Sequence, residues 1–357
     1  MIKRRKTRTV NVGSVKIGSE HPVLIQSMAK VDTSDVNKVV IQVHQLEEAG
    51  CELVRIAVKD ENDAKAISEI KKDITIPIVA DIHFNYKLAL EAIEHGADKI
   101  RINPGNIRKT EDIAKVIDAA EGKNIPMRLG VNSGSLMEAA SGKGLSSDDM
   151  VEALLKYLEN FRKRDFNDLI ISLKSSDVAS TIGAYRKMAG ECDYPFHVGV
   201  TAAGLPENGV VKSSIGIGTL LLEGIGDTVR VSLTGDPVTE VEVAKHILSS
   251  AGVRCFGPEI IACPTCGRCQ VDLIPIVRNL ESELHSIDQT KSSLKERQLM
   301  VAVMGCEVNG PGEAKGADIG IAFGKGKGVI FRKGEIVKTV NVSSAVRELL
   351  DMIKKEI

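Results

Sequence analysis

The chain contains no tryptophan, and aromatic residues make up only 3% of its 357 residues. Proteins that bind single-stranded nucleic acid stack the bases on aromatic side chains, so this composition argues against that class. The sequence also lacks the apolar run of about 18 residues that a membrane-spanning helix needs. No apolar segment follows the basic N-terminus, so we expect that it is not a secretory signal. We therefore expect a cytoplasmic protein without a nucleic-acid or membrane partner.

Basic residues are concentrated at the N-terminus, in the segment MIKRRKTRTVNVGSVKIG (1–18), although the net charge of the whole chain is only −1. A short basic run of this kind is usually exposed to water. We interpret it as a solvated arm.

Cysteine is scarce, and three of the seven cysteines lie within CPTCGRC (263–269). An odd number of cysteines in a long chain without an export signal indicates a reducing compartment. Clustered cysteines in such a compartment bind metal or carry out chemistry more often than they form disulfides.

Short apolar segments alternate with helical segments of about 10–15 residues from residue 22 to residue 250. The eight predicted strands are PVLIQSM (22–28), ELVRIAV (52–58), PIVADIHF (77–84), KIRINPG (99–105), PMRLGVN (126–132), LIISLKS (169–175), PFHVGVT (195–201) and TVRVSLT (228–234). The helices are predicted to begin near Asp35, Glu61, Tyr86, Thr110, Ser147, Asp177, Val211 and Pro237. Eight such units predict an α/β fold, a parallel TIM (β/α)8 barrel, with an open doubly wound sheet as the alternative.

Polar residues occupy every second position of these strands, although strands of a parallel sheet are normally apolar on both faces. In TVRVSLT, for example, Arg230 and Ser232 alternate with valine and leucine. Because side chains alternate between the two faces of a strand, one polar set should point toward the barrel axis. Its other predicted members are Arg55, Asp81, His83, Arg101, Arg128, Asn132, Lys174, His197 and Thr201.

Five members of this set are cations, and Asp81 alone cannot balance them. A buried cation without an anionic partner is costly, and arginine binds phosphate oxygens well. Ligands of such barrels bind at the C-terminal ends of the strands. The pattern therefore predicts a diphosphorylated substrate, with salt bridges on the helix side as the alternative for any single arginine.

The rhythm of strands and helices changes after Gly257-Pro258, which predicts a domain boundary. Residues 1–256 are assigned to the barrel and residues 257–357 to a small α+β domain. In the second domain we predict a helical stretch near 270–285, strands at LMVAVMGC (299–306) and DIGIAF (318–323), a hairpin at 328–340 and a final amphipathic helix.

The spacing of Cys263, Cys266 and Cys269, with Cys306 forty residues later, suits more than one kind of site. Zinc would need all four thiolates. An iron–sulfur cluster also uses C-x2-C-x2-C runs with a distant cysteine. A catalytic dithiol or simple packing remains open as well. The loop GCEVNGPGE (305–313) adds two carboxylates, and a glutamate ligand fits a cluster with one exchangeable position better than structural zinc.

Long stretches of the chain resemble the 4-hydroxy-3-methylbut-2-enyl diphosphate synthases, iron–sulfur enzymes of the non-mevalonate isoprenoid pathway. The matching motifs are ADIHFN, KIRINPGN, MRLGVNSGSL, SLKSSDV, HVGVT, KSSIGIG, GIGDTVRVSLT, ACPTCGR and GCEVNGPGEA. They extend from about residue 20 to the end of the chain, in the compact bacterial two-domain arrangement. The resemblance implies a TIM barrel followed by a sulfite-reductase-like α+β iron–sulfur domain.

The resemblance also implies a reaction and its site. The reaction is the reductive ring opening of 2-C-methyl-D-erythritol 2,4-cyclodiphosphate, with electrons passed from ferredoxin or flavodoxin through a 4Fe–4S cluster. The implied cluster ligands are Cys263, Cys266, Cys306 and the catalytic Glu313, and Cys269 has no ligand role. The implied substrate-binding residues are Arg55, His83, Arg101, Arg128, Asn132, Lys174, Arg230 and Ser232. A head-to-tail homodimer is implied too, in which the cluster domain of one subunit closes over the barrel of its partner.

One position departs from the family pattern. The chain reads GVTAAG where the family reads G-V-T-E-A-G, so that Ala202 stands in the place of the family's proposed acid/base glutamate. Loss of a general acid or base typically lowers the rate by about 10²–10⁴. We therefore expect intact fold, cluster and substrate binding with reduced turnover.

Two rival functions are weaker. A radical enzyme with an S-adenosylmethionine cluster would need a C-x3-C-x2-C loop after an early barrel strand, and the chain has no such spacing there. A barrel stabilised by zinc that only binds a phosphate ligand would differ from an iron–sulfur enzyme in its metal content.

Overall fold

The computed structural model describes residues 2–107, 109–134, 146–285, 299–307, 314 and 316–355. The chain divides into two compact units, residues 1–254 and 255–357. Within the described ranges, no helix combines the length and the apolar character that crossing a bilayer would require.

The N-terminal segment is an antiparallel hairpin of β1 (Val10–Val12) and β2 (Val15–Ile17), in which Val10 pairs with Ile17. The prediction of a solvated arm is therefore wrong. The side chains of Val10, Val12 and Ile17 are fully buried, and they pack in one cluster with Leu24, Leu53, Val79 and Ile170. The alternating valines and isoleucine of VNVGSVKI form an apolar face that the surrounding basic residues obscure in the sequence.

Eight parallel strands form the sheet of the first unit. They are β3 (Leu24–Met28), β4 (Leu53–Val58), β5 (Ile78–Ile82), β6 (Lys99–Ile102), β7 (Met127–Asn132), β8 (Leu169–Lys174), β9 (His197–Val198) and β10 (Thr228–Val229). The order across the sheet is β8-β7-β6-β5-β4-β3-β10-β9. A parallel bridge between Ile171 and Phe196 brings β8 beside the start of β9. The sheet is thus a nearly closed barrel, which confirms the predicted TIM fold.

Helices follow the strands around this barrel. They are α1 (Val36–Glu48), α2 (Glu61–Asp73), α3 (Tyr86–Glu94), α4 (Thr110–Gly122), α5 (Ser147–Arg162), α6 (Val178–Glu191), α7 (Pro206–Leu222) and α8 (Pro237–Ser250). Side chains such as Asp60 and Asp177 accept hydrogen bonds from free N–H groups at the helix starts. Helix α7 begins at Pro206, five residues before the predicted Val211, because proline suits the first helical position, where no N–H is needed.

The second unit is a five-stranded sheet with two helices among its described residues. Its elements are β11 (Glu259–Ala262), α9 (Leu273–His285), β12 (Met300–Met304), β13 (Ile319–Gly324), β14 (Lys327–Arg332), β15 (Glu335–Asn341) and α10 (Ala345–Ile353). The strands lie in the order β11 to β15, parallel from β11 to β13 and antiparallel from β13 to β15. The sequence analysis missed β11, a four-residue edge strand with partly exposed side chains.

Candidate active site

The strands of the barrel carry the predicted cations toward the barrel axis. Arg55 lies on β4, Arg101 on β6 and Arg128 on β7, while Lys174 is the last residue of β8. The Nη1 atom of Arg128 donates to Oε1 of Gln26 at 3.2 Å. Since β7 and β3, which carry these two residues, are not neighbours in the sheet, this hydrogen bond crosses the interior of the barrel.

Asp81 on β5 is the centre of an ion-pair network. Arg101 Nη1 lies 3.1 Å from Asp81 Oδ1, Arg55 Nε lies 3.7 Å from Oδ2, and His83 Nε2 lies 3.2 Å from Oδ2. Burial alone would raise the pKa of Asp81, but the two arginines and the hydrogen bond from His83 outweigh it and hold the pKa well below its usual range. Asp81 is therefore ionised.

Arg230, directly after β10, has a carboxylate partner that the sequence analysis missed. Its Nη2 atom lies 3.8 Å from Oε2 of Glu240, a buried residue of α8. Glu240 also lies 2.8 Å from Lys30 Nζ and accepts a hydrogen bond from the N–H of Leu233. Arg230 thus pairs with a carboxylate that a helix supplies, while it still lies among the cations of the barrel interior. The signal in the sequence is a single glutamate on the otherwise apolar buried face of α8.

Arg128 and Lys174 are deeply buried, with only 1% and 6% of their surfaces exposed. Neither forms an ion pair with a carboxylate among the described residues. The Nε atom of Arg128 has no hydrogen-bond partner in the part of the chain that the structure describes. Burial, and then the neighbouring cations, lower the pKa values of Arg128 and Lys174 well below their ordinary values. Both groups require an anion that the described residues do not supply.

A deeper layer adds Lys99 and His197, which are fully buried. The Nζ atom of Lys99 and the Nε2 atom of His197 have no hydrogen-bond partner among the described residues. The sequence analysis did not include Lys99 in the cationic set. The interior of the barrel therefore carries six basic side chains, Arg55, Lys99, Arg101, Arg128, Lys174 and Arg230, against the carboxylates of Asp81 and Glu240.

Smaller polar groups lie beyond the cations, at the C-terminal ends of the strands. His83 has 47% of its side chain exposed, and its Nδ1 accepts from Asn106 Nδ2 at 3.2 Å. This acceptor role leaves the proton on Nε2, which donates to Asp81. Asn132 ends β7 opposite Lys174 in the register, and Ser232 lies two residues beyond Arg230.

Ala202 lies in the segment that follows β9. The N–H of Thr201 donates to the carbonyl of Ser175 at 3.2 Å, and the N–H of Thr234 donates to the carbonyl of Gly204 at 2.9 Å. These bonds hold residue 202 beside the ends of β8 and β10. The φ angle of Ala202 is +49°, in the left-handed region that residues other than glycine adopt at a cost. The exposed methyl group cannot transfer a proton.

The ends of β11 and β12 bring two of the predicted cluster ligands close together. Ala262 pairs with Val303 in the parallel register, so that Cys263 and the Gly305-Cys306 pair follow neighbouring strands. The N–H of Gly305 donates to Cys263 Sγ at 3.2 Å, and 4% of Cys306 is exposed. Cys266 lies in an exposed turn closed by a hydrogen bond from the N–H of Cys269 to its carbonyl. Glu313 lies outside the described residues.

The thiols of Cys263 and Cys306, at the ends of neighbouring strands, are ligands of the kind that an iron–sulfur cluster uses. No three His, Cys, Asp or Glu side chains in the described ranges are grouped so as to hold one metal ion. A cluster takes cysteine ligands on separate irons, and hydrogen bonds to the sulfurs tune it. The bond from Gly305 N–H to Cys263 Sγ is of that kind.

The sequence matches the models of two protein families. Residues 7–245 match the GcpE TIM-barrel domain, and residues 259–355 match the GcpE protein C-terminal domain. A protein of Caldanaerobacter subterraneus subsp. tengcongensis is 52% identical, over 99% of this chain and 99% of its own. One of Thermodesulfovibrio yellowstonii is also 52% identical, over 99% and 100%. Both carry the name 4-hydroxy-3-methylbut-2-en-1-yl diphosphate synthase (flavodoxin).

A solved structure supports the barrel alone. Dihydropteroate synthase from Stenotrophomonas maltophilia superimposes with a TM-score of 0.52 at 16% identity, and the match covers 70% of this chain and 100% of that one. At this identity the likeness concerns the fold and carries nothing about the reaction.

Proposed function

The chain belongs to the GcpE family of 4-hydroxy-3-methylbut-2-en-1-yl diphosphate synthases, and we propose that it opens the ring of 2-C-methyl-D-erythritol 2,4-cyclodiphosphate reductively. The product is (E)-4-hydroxy-3-methylbut-2-enyl diphosphate. Two electrons and two protons are consumed, a ring C–O bond breaks, and one hydroxyl group leaves as water.

The observation that carries this proposal is the excess of buried positive charge in the barrel. Arg128 and Lys174 have no carboxylate partner among the described residues, and they lie at strands whose C-terminal ends form the usual ligand site of this fold. A diphosphate supplies the missing negative charge and accepts several hydrogen bonds from arginine at once. Neutral ligands and single carboxylates would leave most of these cations unbalanced.

Different polar groups of the site contact different parts of the substrate. Arg128 and Lys174 bind the diphosphate directly, while Asp81 orients Arg55 and Arg101 through its two oxygens. His83, Asn132 and Ser232 lie further out and contact the part of the substrate that reacts. Enclosure of the substrate in this site excludes water from reactive intermediates.

The proposed cofactor is a 4Fe–4S cluster held by Cys263, Cys266, Cys306 and Glu313. When bound, the cluster supplies the electrons for breaking the C–O bond. Among its ligands, Glu313 offers a carboxylate oxygen, which is weaker than a thiolate and can be exchanged. Cys263 is held in place by the Gly305 N–H.

Ala202 makes this chain a low-turnover variant in our proposal. A methyl group stands where the family has a carboxylate, and the described residues around it, Thr201, Ala203 and Gly204, offer no carboxylate in its place. Binding of the diphosphate does not depend on this position.

We further propose a cytoplasmic, head-to-tail homodimer that receives electrons from flavodoxin. The names of the relatives from Caldanaerobacter and Thermodesulfovibrio support flavodoxin over ferredoxin as the donor. The dimer rests on the family resemblance.

Anaerobic reconstitution with iron and sulfide tests the proposed function directly. We expect about four irons and four sulfides per chain, an absorbance band typical of the cluster, and slow conversion of the cyclic diphosphate with reduced flavodoxin. A colourless protein that retains one zinc ion per chain and only binds diphosphate would instead identify the zinc-stabilised binding barrel.

A further inference from the structure

Cys269, the third cysteine of CPTCGRC, lies against Gly305 on the neighbouring loop. A Cβ atom built on Gly305 would overlap Cys269 Sγ, and it would lie 3.5 Å from Cys269 Cβ and 3.5 Å from Leu273 Cδ2. The φ angle of Gly305 is not positive, so its backbone conformation does not demand glycine. Glycine is required here because the thiol of Cys269 occupies the space that a side chain would need.

The Gly305 peptide is held from both directions. Its N–H donates to Cys263 Sγ at 3.2 Å, and its carbonyl accepts from the N–H of Gln270 at 2.8 Å. Gln270 is the residue after Cys269, so the thiol contact and the carbonyl bond fix the same peptide against the same loop. That peptide leads directly into Cys306.

The thiol of Cys269 also has a hydrogen-bond acceptor within its own loop. Its Sγ lies 3.2 Å from the carbonyl oxygen of Val271, to which the S–H donates. Cys269 packs against the apolar core of the second unit together with Leu273.

From these contacts, and resting on the proposed function, we propose that Cys269 is a positioning residue for the iron–sulfur cluster. The thiol of Cys269 packs against Gly305 and fixes the position of its peptide. The Gly305 N–H therefore points at Cys263 Sγ, and Cys306 lies beside Cys263. A hydrogen bond to a ligand sulfur favours the reduced, more negatively charged cluster. Cys269 therefore influences the reduction potential without binding iron.

The test is a double-mutant cycle on Gly305 and Cys269, with iron and sulfide content, the visible spectrum and the midpoint potential measured on reconstituted protein. Gly305→Ala alone should lose most of the iron, because the new Cβ overlaps Cys269 Sγ. Cys269→Ala should keep the full iron content and shift the midpoint potential to a more negative value. The double variant should regain iron, because the added Cβ then meets Cys269 Cβ at an ordinary 3.5 Å. Cys269→Ser, which retains a donor for Val271, should have a potential nearer to that of the unchanged protein.

Gly267→Ala is the matched control, since it adds the same methyl within CPTCGRC where nothing lies within 4 Å. It should leave iron content and potential unchanged. Loss of iron in Cys269→Ala would identify Cys269 as a ligand and overturn the proposal. An unchanged potential in Cys269→Ala, or full iron content in Gly305→Ala alone, would overturn it as well.

The proposed function can fail separately. If the unchanged chain takes up no cluster, the proposed cofactor is wrong and so is the role of Cys269 toward it. The contact between Gly305 and Cys269 is still measurable in thermal unfolding of the cluster-free protein. In that protein, Gly305→Ala should lower the melting temperature, and the double variant should recover part of the loss. Additive effects of the two substitutions would show that Gly305 and Cys269 are not in steric contact.

Discussion

Arg101 donates a hydrogen bond from Nη1 to Oδ1 of Asp81 at 3.1 Å, and both side chains are almost completely buried. The other oxygen of Asp81, Oδ2, forms an ion pair with Arg55. Removing one partner of a buried ion pair is more damaging than replacing the pair, because the remaining charge is left without compensation.

Asp81→Asn should therefore lower the free energy of unfolding by about 3 kcal/mol or more. Inorganic diphosphate should restore part of this loss, since an anion near Arg55 and Arg101 replaces the missing charge. Urea unfolding with and without diphosphate measures both effects. Asp118→Asn, in an exposed pair with Arg164, is the control and should change stability by less than about 1 kcal/mol. A fully stable Asp81→Asn protein would contradict the importance of the network.

Because of Asp81, the free energy of unfolding should also depend on pH. Because the pKa of Asp81 is well below its value of about 3.9 in an unfolded chain, the ionised group stabilises the fold above about pH 4. This contribution is lost as the pH falls through the folded-state pKa. In Asp81→Asn the free energy of unfolding should fall less steeply in acid than in the unchanged protein, and parallel curves would rule out the effect.

Arg128 should behave in the opposite way from Asp81. It has no carboxylate partner among the described residues, so Arg128→Met removes a buried charge together with the cost of burying it. We expect the unfolding free energy to rise or to fall by no more than about 1 kcal/mol. The affinity for inorganic diphosphate, measured by calorimetry, should fall by about 10- to 100-fold, as for a hydrogen bond to a charged group. Arg162→Met is the control, because Arg162 pairs with the exposed Glu159, and it should leave the affinity unchanged. A destabilised Arg128→Met protein with normal affinity would assign Arg128 a structural role.

The barrel and the polar face of its strands could be read from the sequence because both depend on local periodicity. Alternation along TVRVSLT or KIRINPG places Arg230 and Arg101 on one face whatever the rest of the fold does. All eight predicted segments contain the observed strands, and the sheet is nearly closed.

What the sequence could not reveal depends on contacts between distant segments. Glu240 reaches Arg230 because α8 packs beside β3, and a lone glutamate on a buried helix face does not reveal which cation it will meet. The apolar side chains of the N-terminal hairpin are buried against Leu53, Val79 and Ile170, and Arg4 just before it pairs with Asp227, 223 residues away. The contact of Gly305 with Cys269 likewise needs the parallel pairing of β11 with β12, and β11 itself was missed.

Ala202→Glu should raise turnover of the cyclic diphosphate by about 10²–10⁴ if a proton donor or acceptor is the missing part. The substitution adds little strain, because Ala202 already has a φ angle of +49° that any L-residue would share. Ala202→Gln has nearly the same shape without a titratable proton and is the matched control. Equal rates for the glutamate and glutamine variants would assign position 202 to packing or polarity and remove its role in proton transfer.

The homodimer can be tested by mixing two variants that are damaged in different halves of the site, at a substrate concentration too low to saturate Arg128→Met. Arg128→Met damages the barrel site and leaves the cysteines intact, whereas Cys263→Ser damages the cluster site and leaves the barrel intact. In a head-to-tail dimer, each active site combines the barrel of one subunit with the cluster domain of its partner. A mixed dimer then contains one site in which both halves are intact.

Random exchange of equal amounts makes half of the dimers mixed, so activity should recover to about a quarter of that of the unchanged enzyme. Each variant alone, dimerised and assayed under the same conditions, should have little activity and sets the baseline. If each subunit instead used its own barrel with its own cluster domain, every site in the mixture would keep one damaged half. Mixing would then restore nothing, even though sedimentation showed that mixed dimers had formed.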